Sequence, residues 1–109
     1  HVFINKGCVM LDGAPIVFGS HIFVGPNCSF NTPIHPLTVE LRNQGLERNE
    51  AIYIADNVWI GAQVCILAGV SIGAGSIIGA GSVVTRDVPP DVVAVGNPCR
   101  VLRKAEDRP

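Results

Sequence analysis

A six-residue period dominates the second half of the sequence and restricts the folds that this chain can adopt. A small residue follows four of the six repeated aliphatic residues, and the fourth residue after each one is Val or Ser. The repeated positions are Ile54, Ile60, Ile66, Ile72, Ile78 and Val84. A period of six matches neither the face of an α-helix nor the two-residue alternation of a single strand.

The same register continues back through the first part of the chain. Five more hexads precede residue 32 if two residues are inserted near Ala14-Pro15, which makes eleven in all. Their repeated positions are Ile4, Met10, Phe18, Val24 and Phe30. Val and Ile together outnumber Leu by 26 to 6, which favours strands over helices. We therefore expect an all-β fold.

The period predicts a parallel β-coil in which each hexad supplies one short strand and one tight turn. One coil cannot bury its own apolar face, so successive coils must stack. The glycines that follow the aliphatic positions fit either a turn with unusual φ or a close approach of two backbones. An antiparallel β-sandwich fits poorly, because its turns would come every 8–12 residues and its spacing would drift.

Two segments depart from the repeat. Residues 31–50 are polar, contain two prolines and lack the aliphatic period, yet the register resumes unchanged at Ile54. We interpret them as an excursion that leaves one corner of the coil and returns to it, and long insertions of this kind are often functional. Residues 89–109 form a predicted tail, because Pro89 and Pro90 cannot donate ladder hydrogen bonds and should stop strand pairing. The coil itself is then expected over residues 1–88.

Composition excludes several classes of function. A net charge of −1 argues against general binding to nucleic acid or to an anionic membrane. No apolar run is long enough for a transmembrane helix. The four cysteines and three histidines lack zinc-finger spacing, so we expect no metal, four small buried thiols and a reducing, cytoplasmic location. Because the chain begins with His1 inside an apolar run, we expect that the natural protein has a further N-terminal segment.

One histidine stands out as a candidate general base. His1 ends the chain and His21 lies at a turn between hexads, whereas His35 lies in the excursion between rigid coils. An imidazole can exchange a proton near neutral pH, which suits it to base catalysis. Five of the eight basic residues follow position 85, which predicts either a solvated end or a site for a phosphorylated ligand.

The hexads resemble the left-handed parallel β-helix of the hexapeptide-repeat acyltransferases. The excursion, with His35-Pro36, Glu40-Leu41-Arg42 and Gly45-Leu46-Glu47, looks like that of the maltose and galactoside O-acetyltransferase branch. The resemblance covers residues 2–104 and implies three hexads per coil. It also implies a homotrimer with sites between subunits, and acetyl-CoA as the donor for a sugar hydroxyl.

The resemblance also assigns roles around the acceptor. His35 matches the family's catalytic base, Asn5 an acceptor contact, and Asp12 a position at or beside a sugar-binding Asp. Gly13 stands where a second acidic residue can occur. Either Glu47 or a backbone carbonyl could orient the second ring nitrogen of His35. Cys28 and Cys65 fall at or near core positions, so we expect direct transfer without a covalent relay.

The donor site is implied in the same way. The Ala62 N–H matches the family's oxyanion donor, and the small residues Gly25, Ala62 and Ala80 would let the pantetheine arm lie close to backbone. Trp59 would form an apolar wall. Family positions near the nucleotide and phosphates match Thr85, Arg86, Arg100 and Arg103.

Other functions of the same coil remain open at this point. They are a xenobiotic acetyltransferase, a serine acetyltransferase, a γ-type carbonic anhydrase and a non-catalytic solenoid that binds or supports other molecules. The carbonic anhydrase would need three zinc-ligating histidines, two of them close in sequence, whereas the gaps here are 20 and 14.

Overall fold

A computed structural model of the chain describes residues 1–107. Arg108 and Pro109, the end of the predicted tail, lie outside the described residues. In order, the strands are β1 (Val2–Ile4), β2 (Val9–Leu11), β3 (Ile16–Phe18), β4 (Ile22–Val24), β5 (Ser29–Asn31), β6 (Pro33–Ile34), β7 (Arg48–Asn49) and β8 (Ile52–Ile54). They continue with β9 (Trp59–Ile60), β10 (Cys65–Ile66), β11 (Ser71–Ile72), β12 (Ile77–Ile78), β13 (Val83–Val84), β14 (Val92–Gly96) and β15 (Cys99–Lys104).

Three parallel sheets form the sides of an elongated coil with extents of 55 × 26 × 20 Å. The first sheet has the order β1-β4-β9-β12-β14-β15, with β15 antiparallel at its edge. The second has the order β2-β5-β10-β13 and the third β3-β8-β11. Every third hexad therefore returns to the same sheet, and the predicted eleven hexads are the eleven strands outside β6, β7, β14 and β15.

The repeated aliphatic residues stack in register to form the core. In the first sheet Ile4 pairs with Val24, Val24 with Ile60, and Ile60 with Ile78. Ile60 and Ile78 are fully buried, and burial of each such side chain stabilises the fold by about 1.5–3 kcal/mol. Ile4 is 37% exposed, because among residues 1–107 its strand pairs with a neighbour on one side only.

The two possible roles of glycine, a left-handed backbone and a close approach of two coils, belong to different positions of the repeat. Three residues after the aliphatic, the backbone is left-handed, as at Asn27 (φ 59) and Gly75 (φ 76). Immediately after the aliphatic, the requirement is space: a Cβ on Gly61 would lie 2.7 Å from the backbone nitrogen of Ala80. The small residue of the repeat therefore allows adjacent coils to approach closely.

The expectation that Pro89 and Pro90 stop strand pairing is wrong. β14 begins two residues after Pro90 and pairs in parallel with β12, with Ala94 beside Ile78. The prolines occupy the turn before β14, where no ladder hydrogen bond is needed. β15 then folds back on β14 as an antiparallel strand.

The segment between β5 and β8 has its own small structure. β6 and β7 pair antiparallel, with Pro33 opposite Asn49 and Ile34 opposite Arg48. We call these two strands the stem. Helix α1 (Val39–Asn43) lies between them, and the turn after it contains Gly45 with φ 77. Among residues 1–107, no helix is long and apolar enough to cross a membrane.

Candidate functional site

The stem brings His35 and Glu47 together. Ile34 pairs with Arg48, so the next residue outward on each strand is His35 on one side and Glu47 on the other. His35 Nε2 lies 3.6 Å from Glu47 Oε1, with 63% of the His35 side chain and 42% of the Glu47 side chain exposed. This distance lies within ion-pair range but is longer than a hydrogen bond.

The local sequence fixes the backbone on either side of His35. Pro36 disfavours helical φ and ψ at His35 and so keeps it extended. Arg42, on α1, donates from Nη1 to the carbonyl oxygens of Pro36 at 3.2 Å and Leu37 at 3.3 Å. Arg42 therefore ties the helix to the two residues that follow His35.

A cavity of about 460 Å³ opens beside the imidazole. Its lining residues are Ile34, His35, Pro36, Leu37, Leu41, Leu46, Glu47 and Arg48. Most of this wall is apolar, and its polar side chains are those of His35, Glu47 and Arg48. The cavity can thus hold a molecule with one polar group presented to the imidazole.

The small residues proposed for the donor lie in one column along a corner of the coil. A Cβ on Gly25 would fall 2.7 Å from the backbone nitrogen of Ala62, and Gly61 stands in the same relation to Ala80. Within residues 1–107, the N–H groups of Ala62 and Ala80 donate to no backbone acceptor. This corner therefore offers unpaired backbone donors to an extended ligand.

Gly25 also meets two further predicted residues at the first sheet. Asn5, Gly25 and Trp59 line one cavity of about 350 Å³, together with Phe3, Phe23 and Val24. Trp59 is 55% exposed and lies beside Phe23 in the sheet register. Within one chain, this cavity and the cavity beside His35 share no lining residue.

The predicted phosphate and nucleotide residues divide into three places. Arg86 and Arg100 line one cavity of about 330 Å³ near the start of β15. Thr85 lines another cavity, together with Pro33 and Ile34 of the stem. Arg103 lies apart from both cavities and donates to the carbonyl oxygens of Lys104 at 3.1 Å and Glu106 at 3.3 Å.

Asp12 lies in an exposed turn next to the base of the stem. The turn is held by Thr32, whose Oγ1 lies 2.6 Å from Leu11 O and accepts from Ala14 N at 3.1 Å. Asn49 covers Gly13, since a Cβ on Gly13 would fall 2.7 Å from Asn49 Nδ2. Sequence reasoning missed Thr32 and Asn49, because neither occupies a repeat position or a recognised motif.

The cysteines are free thiols, and the expectation that all four are buried is wrong, because Cys8 and Cys65 are only half-buried. Cys28 is 1% exposed, and its burial raises the pKa of the thiol above the ordinary value of 9.0. Burial raises the pKa of Cys99 in the same way. Neither thiol is therefore a ready nucleophile at neutral pH. Within the described part of the chain, no group of three or more His, Cys, Asp or Glu side chains could hold a metal ion.

Comparisons with known proteins identify relatives of this chain. The family described as "Bacterial transferase hexapeptide (six repeats)" matches residues 51–86. The galactoside O-acetyltransferase of Lactococcus lactis is 45% identical over 106 residues, which cover 97% of this chain and 51% of that protein.

Solved structures give the same result. One is a hexapeptide-repeat acetyltransferase from Vibrio cholerae complexed with acetyl coenzyme A. It is 48% identical to this chain with a TM-score of 0.95, and the match covers 98% of this chain and 58% of the Vibrio cholerae chain. A maltose O-acetyltransferase from Clostridium difficile is 38% identical with a TM-score of 0.79, and the match covers 97% of this chain and 66% of its own.

Residues 51–86 match the hexapeptide-repeat transferase family, and the chain as a whole is similar to hexapeptide-repeat acetyltransferases. Among these it is similar to the galactoside and maltose O-acetyltransferases. It spans about half the length of the curated relatives that it matches.

Proposed function

We propose that this chain transfers an acetyl group from acetyl-CoA to a hydroxyl of a sugar, with His35 as general base. The observation that carries the proposal is the juxtaposition of His35 and Glu47 in the wall of a largely apolar cavity. Similarity to a structure complexed with acetyl coenzyme A supports the choice of donor. Similarity to a galactoside O-acetyltransferase supports the choice of acceptor.

The chemistry requires a base because an alcohol is a weak nucleophile at neutral pH. A ring nitrogen of His35 takes the hydroxyl proton as the alcohol oxygen attacks the thioester carbonyl. The C–O bond forms first, and the tetrahedral oxyanion accepts a hydrogen bond from the Ala62 N–H. The C–S bond then breaks, and the CoA sulfur takes the proton back from the imidazolium.

Glu47 holds the imidazole in this scheme. Its carboxylate accepts from the ring nitrogen that does not face the acceptor, and it stabilises the positive charge that develops on His35. The separation of 3.6 Å shortens when the acceptor closes the site, because catalytic hydrogen bonds are often long before substrate binds. Asn5 and Asp12 hold other hydroxyls of the sugar.

The donor lies along the corner of the coil. The amide groups of the pantetheine arm bond to the backbone beside Gly25, Ala62 and Ala80, while Trp59 covers an apolar side. Thr85, Arg86, Arg100 and Arg103 hold the nucleotide and its phosphates, to which guanidinium groups bond in pairs. No metal takes part in this scheme.

Association of three copies completes the site. Phe3, Phe23 and Trp59 form an apolar row on one side of the coil and are 51%, 53% and 55% exposed. Such a row favours cover by another chain. A trimer would place the cavity lined by Asn5 and Trp59 of one copy against the excursion of the next. We also propose that the coil is left-handed and that the protein is cytoplasmic.

The test is a transfer assay with acetyl-CoA and a panel of galactosides, maltose and hydroxylated antibiotics, in which release of the CoA thiol is measured. Sugar-dependent release in the wild type, lost in His35→Ala with CoA binding retained, supports the proposal. His21→Asn is the matched control, because Asn tolerates the left-handed backbone at position 21 (φ 59). Transfer only to antibiotics favours the xenobiotic enzyme, and unchanged turnover in His35→Ala excludes His35 as the base.

A further inference from the structure

The base of the excursion is bonded to the first coil through one buried residue, Thr32. Thr32 is fully buried and lies between Asn31 of β5 and Pro33 of the stem. Its backbone N–H donates to Leu11 O at 3.2 Å, and its backbone oxygen accepts from Glu50 N at 3.0 Å. Thr32 thus bonds both to the first coil and to the returning end of the excursion.

The Thr32 side chain adds three further contacts at the same point. Its Oγ1 lies 2.6 Å from Leu11 O and 3.1 Å from Asn49 Oδ1, and it accepts from Ala14 N at 3.1 Å. The single hydroxyl proton therefore faces two acceptors while a lone pair receives the Ala14 N–H. Without this hydroxyl the half-buried Ala14 N–H would lose its hydrogen-bond acceptor.

These contacts join two groups of residues with different proposed roles. Leu11 and Ala14 flank Asp12, the proposed acceptor contact. Asn49 belongs to the stem, whose register sets His35 opposite Glu47. A shift of the stem relative to the first coil would therefore change the separation between the base and the acceptor contact.

We propose that Thr32 is a positioning residue, whose buried hydroxyl fixes the stem carrying His35 and Glu47 against the turn carrying Asp12. The proposal rests on the proposed function of this site. Thr32 touches neither substrate nor cofactor and acts only through the placement of His35. A misplacement of about 1 Å from such a change can cost about 10²-fold in rate.

The test compares four full-length proteins: wild type, Thr32→Val, Thr32→Ser and Thr38→Val. Valine keeps the shape of the Thr32 side chain but lacks the hydroxyl, whereas serine keeps the hydroxyl and lacks the methyl group. Thr38→Val is the matched control, because Thr38 lies in the same excursion, is exposed and makes no capping hydrogen bond. For each protein we measure kcat, the KM for acetyl-CoA, the KM for the sugar and amide hydrogen exchange at residues 33–50.

We expect Thr32→Val to lower kcat by about 10²-fold while the KM for acetyl-CoA stays within about twofold. Amide exchange in β6 and β7 should rise. Thr32→Ser should recover most of the rate, and Thr38→Val should match the wild type. A wild-type kcat per folded molecule in Thr32→Val would overturn the proposal, as would an equal loss in Thr32→Val and Thr32→Ser.

Two further outcomes are distinguishable. If Thr32→Val does not fold, Asn49→Ala serves instead, because it removes one partner of the hydroxyl. We expect a smaller loss of kcat and faster amide exchange in the stem. Amide exchange equal to that of the wild type would contradict the proposal. If the wild type transfers no acetyl group to any acceptor, the proposed function fails. Amide exchange still tests the role of Thr32. If its hydroxyl holds the stem in place, the stem exchanges faster in Thr32→Val than in Thr38→Val, and equal exchange would overturn the proposal.

Discussion

His35 Nε2 and Glu47 Oε1 lie 3.6 Å apart across the end of a two-stranded stem. Both side chains are largely exposed, so their mutual attraction is screened by water and amounts to about 1 kcal/mol at most. The pair therefore contributes little to the stability of the fold, and the role proposed for Glu47 is to orient the imidazole.

Replacement of Glu47 should lower the rate modestly. We expect Glu47→Ala to reduce kcat about fivefold, which corresponds to about 1 kcal/mol, because the imidazole loses its orienting acceptor. Glu47→Gln keeps an acceptor oxygen and should retain most of the rate. Steady-state kinetics at saturating acetyl-CoA measures both variants. A loss as large as that of His35→Ala would mean that Glu47 itself reacts with the proton.

The two arginines that share a cavity should hold the donor and leave the chemical step unchanged. We expect the Arg86→Ala/Arg100→Ala double variant to raise the KM for acetyl-CoA about fivefold to tenfold with little change in kcat, because two exposed charge-assisted contacts to phosphate are lost. Added salt should raise the wild-type KM more than that of the variant. Lys104→Ala removes a charge of the same sign outside that cavity. If Lys104→Ala raises the KM for acetyl-CoA as much as the double variant does, the arginines act only through the general positive charge of the tail.

The close approach at Gly61 should make this glycine indispensable for stability. A Cβ there would lie 2.7 Å from Ala80 N and 3.0 Å from Ile78 O, and these backbone atoms belong to the next coil. We expect Gly61→Ala to lower the free energy of unfolding by about 3 kcal/mol, as measured by urea denaturation.

Gly45→Ala is the control, because the added methyl group has nothing within 4 Å and only the positive φ of 77 opposes it. Its cost should be about 1 kcal/mol. Equal losses in Gly61→Ala and Gly45→Ala would show that backbone conformation, and not the spacing of the coils, decides the cost.

The buried thiol of Cys28 should make the fold less stable at alkaline pH. Burial raises the pKa of Cys28 in the folded chain above 9.0, whereas the unfolded thiol titrates near its ordinary value. The stability that this thiol contributes is therefore complete below pH 9.0 and is lost as the pH rises through the folded pKa.

Denaturation at a series of pH values measures this effect. The free energy of unfolding of the wild type should fall more steeply above pH 9.0 than that of Cys28→Val. Valine already occupies the equivalent position in the next coil, at Val64, so the replacement should pack there. Parallel curves for the two proteins would contradict the expectation.

The repeat predicted the strands because each one is fixed by a local rule. An inward aliphatic and a turn three residues later suffice, so Ile60, Ile66 and Ile72 each lie in a strand of the expected sheet. The tail escaped prediction because β15 is paired by its backbone, and its side chains after Cys99 are exposed and carry no periodic signal.

The candidate site was predictable only in part. His35 and Glu47 could be selected by residue type and by a motif, and their contact follows from the stem register. The contacts of Thr32 with Leu11 and Asn49 join residues far apart in the chain through side-chain geometry. No local pattern encodes such contacts, so only the folded chain reveals them.

The reversed strand β15 has a consequence for assembly. A solenoid of parallel strands ends in an open edge, and such an edge can accept a strand from another molecule and grow into a filament. Here β15 runs antiparallel along β14 and carries Arg100, Arg103 and Lys104 outward. Direction and charge both oppose further parallel growth at this edge, so we expect removal of residues 99–109 to promote end-to-end polymerisation, which light scattering would detect.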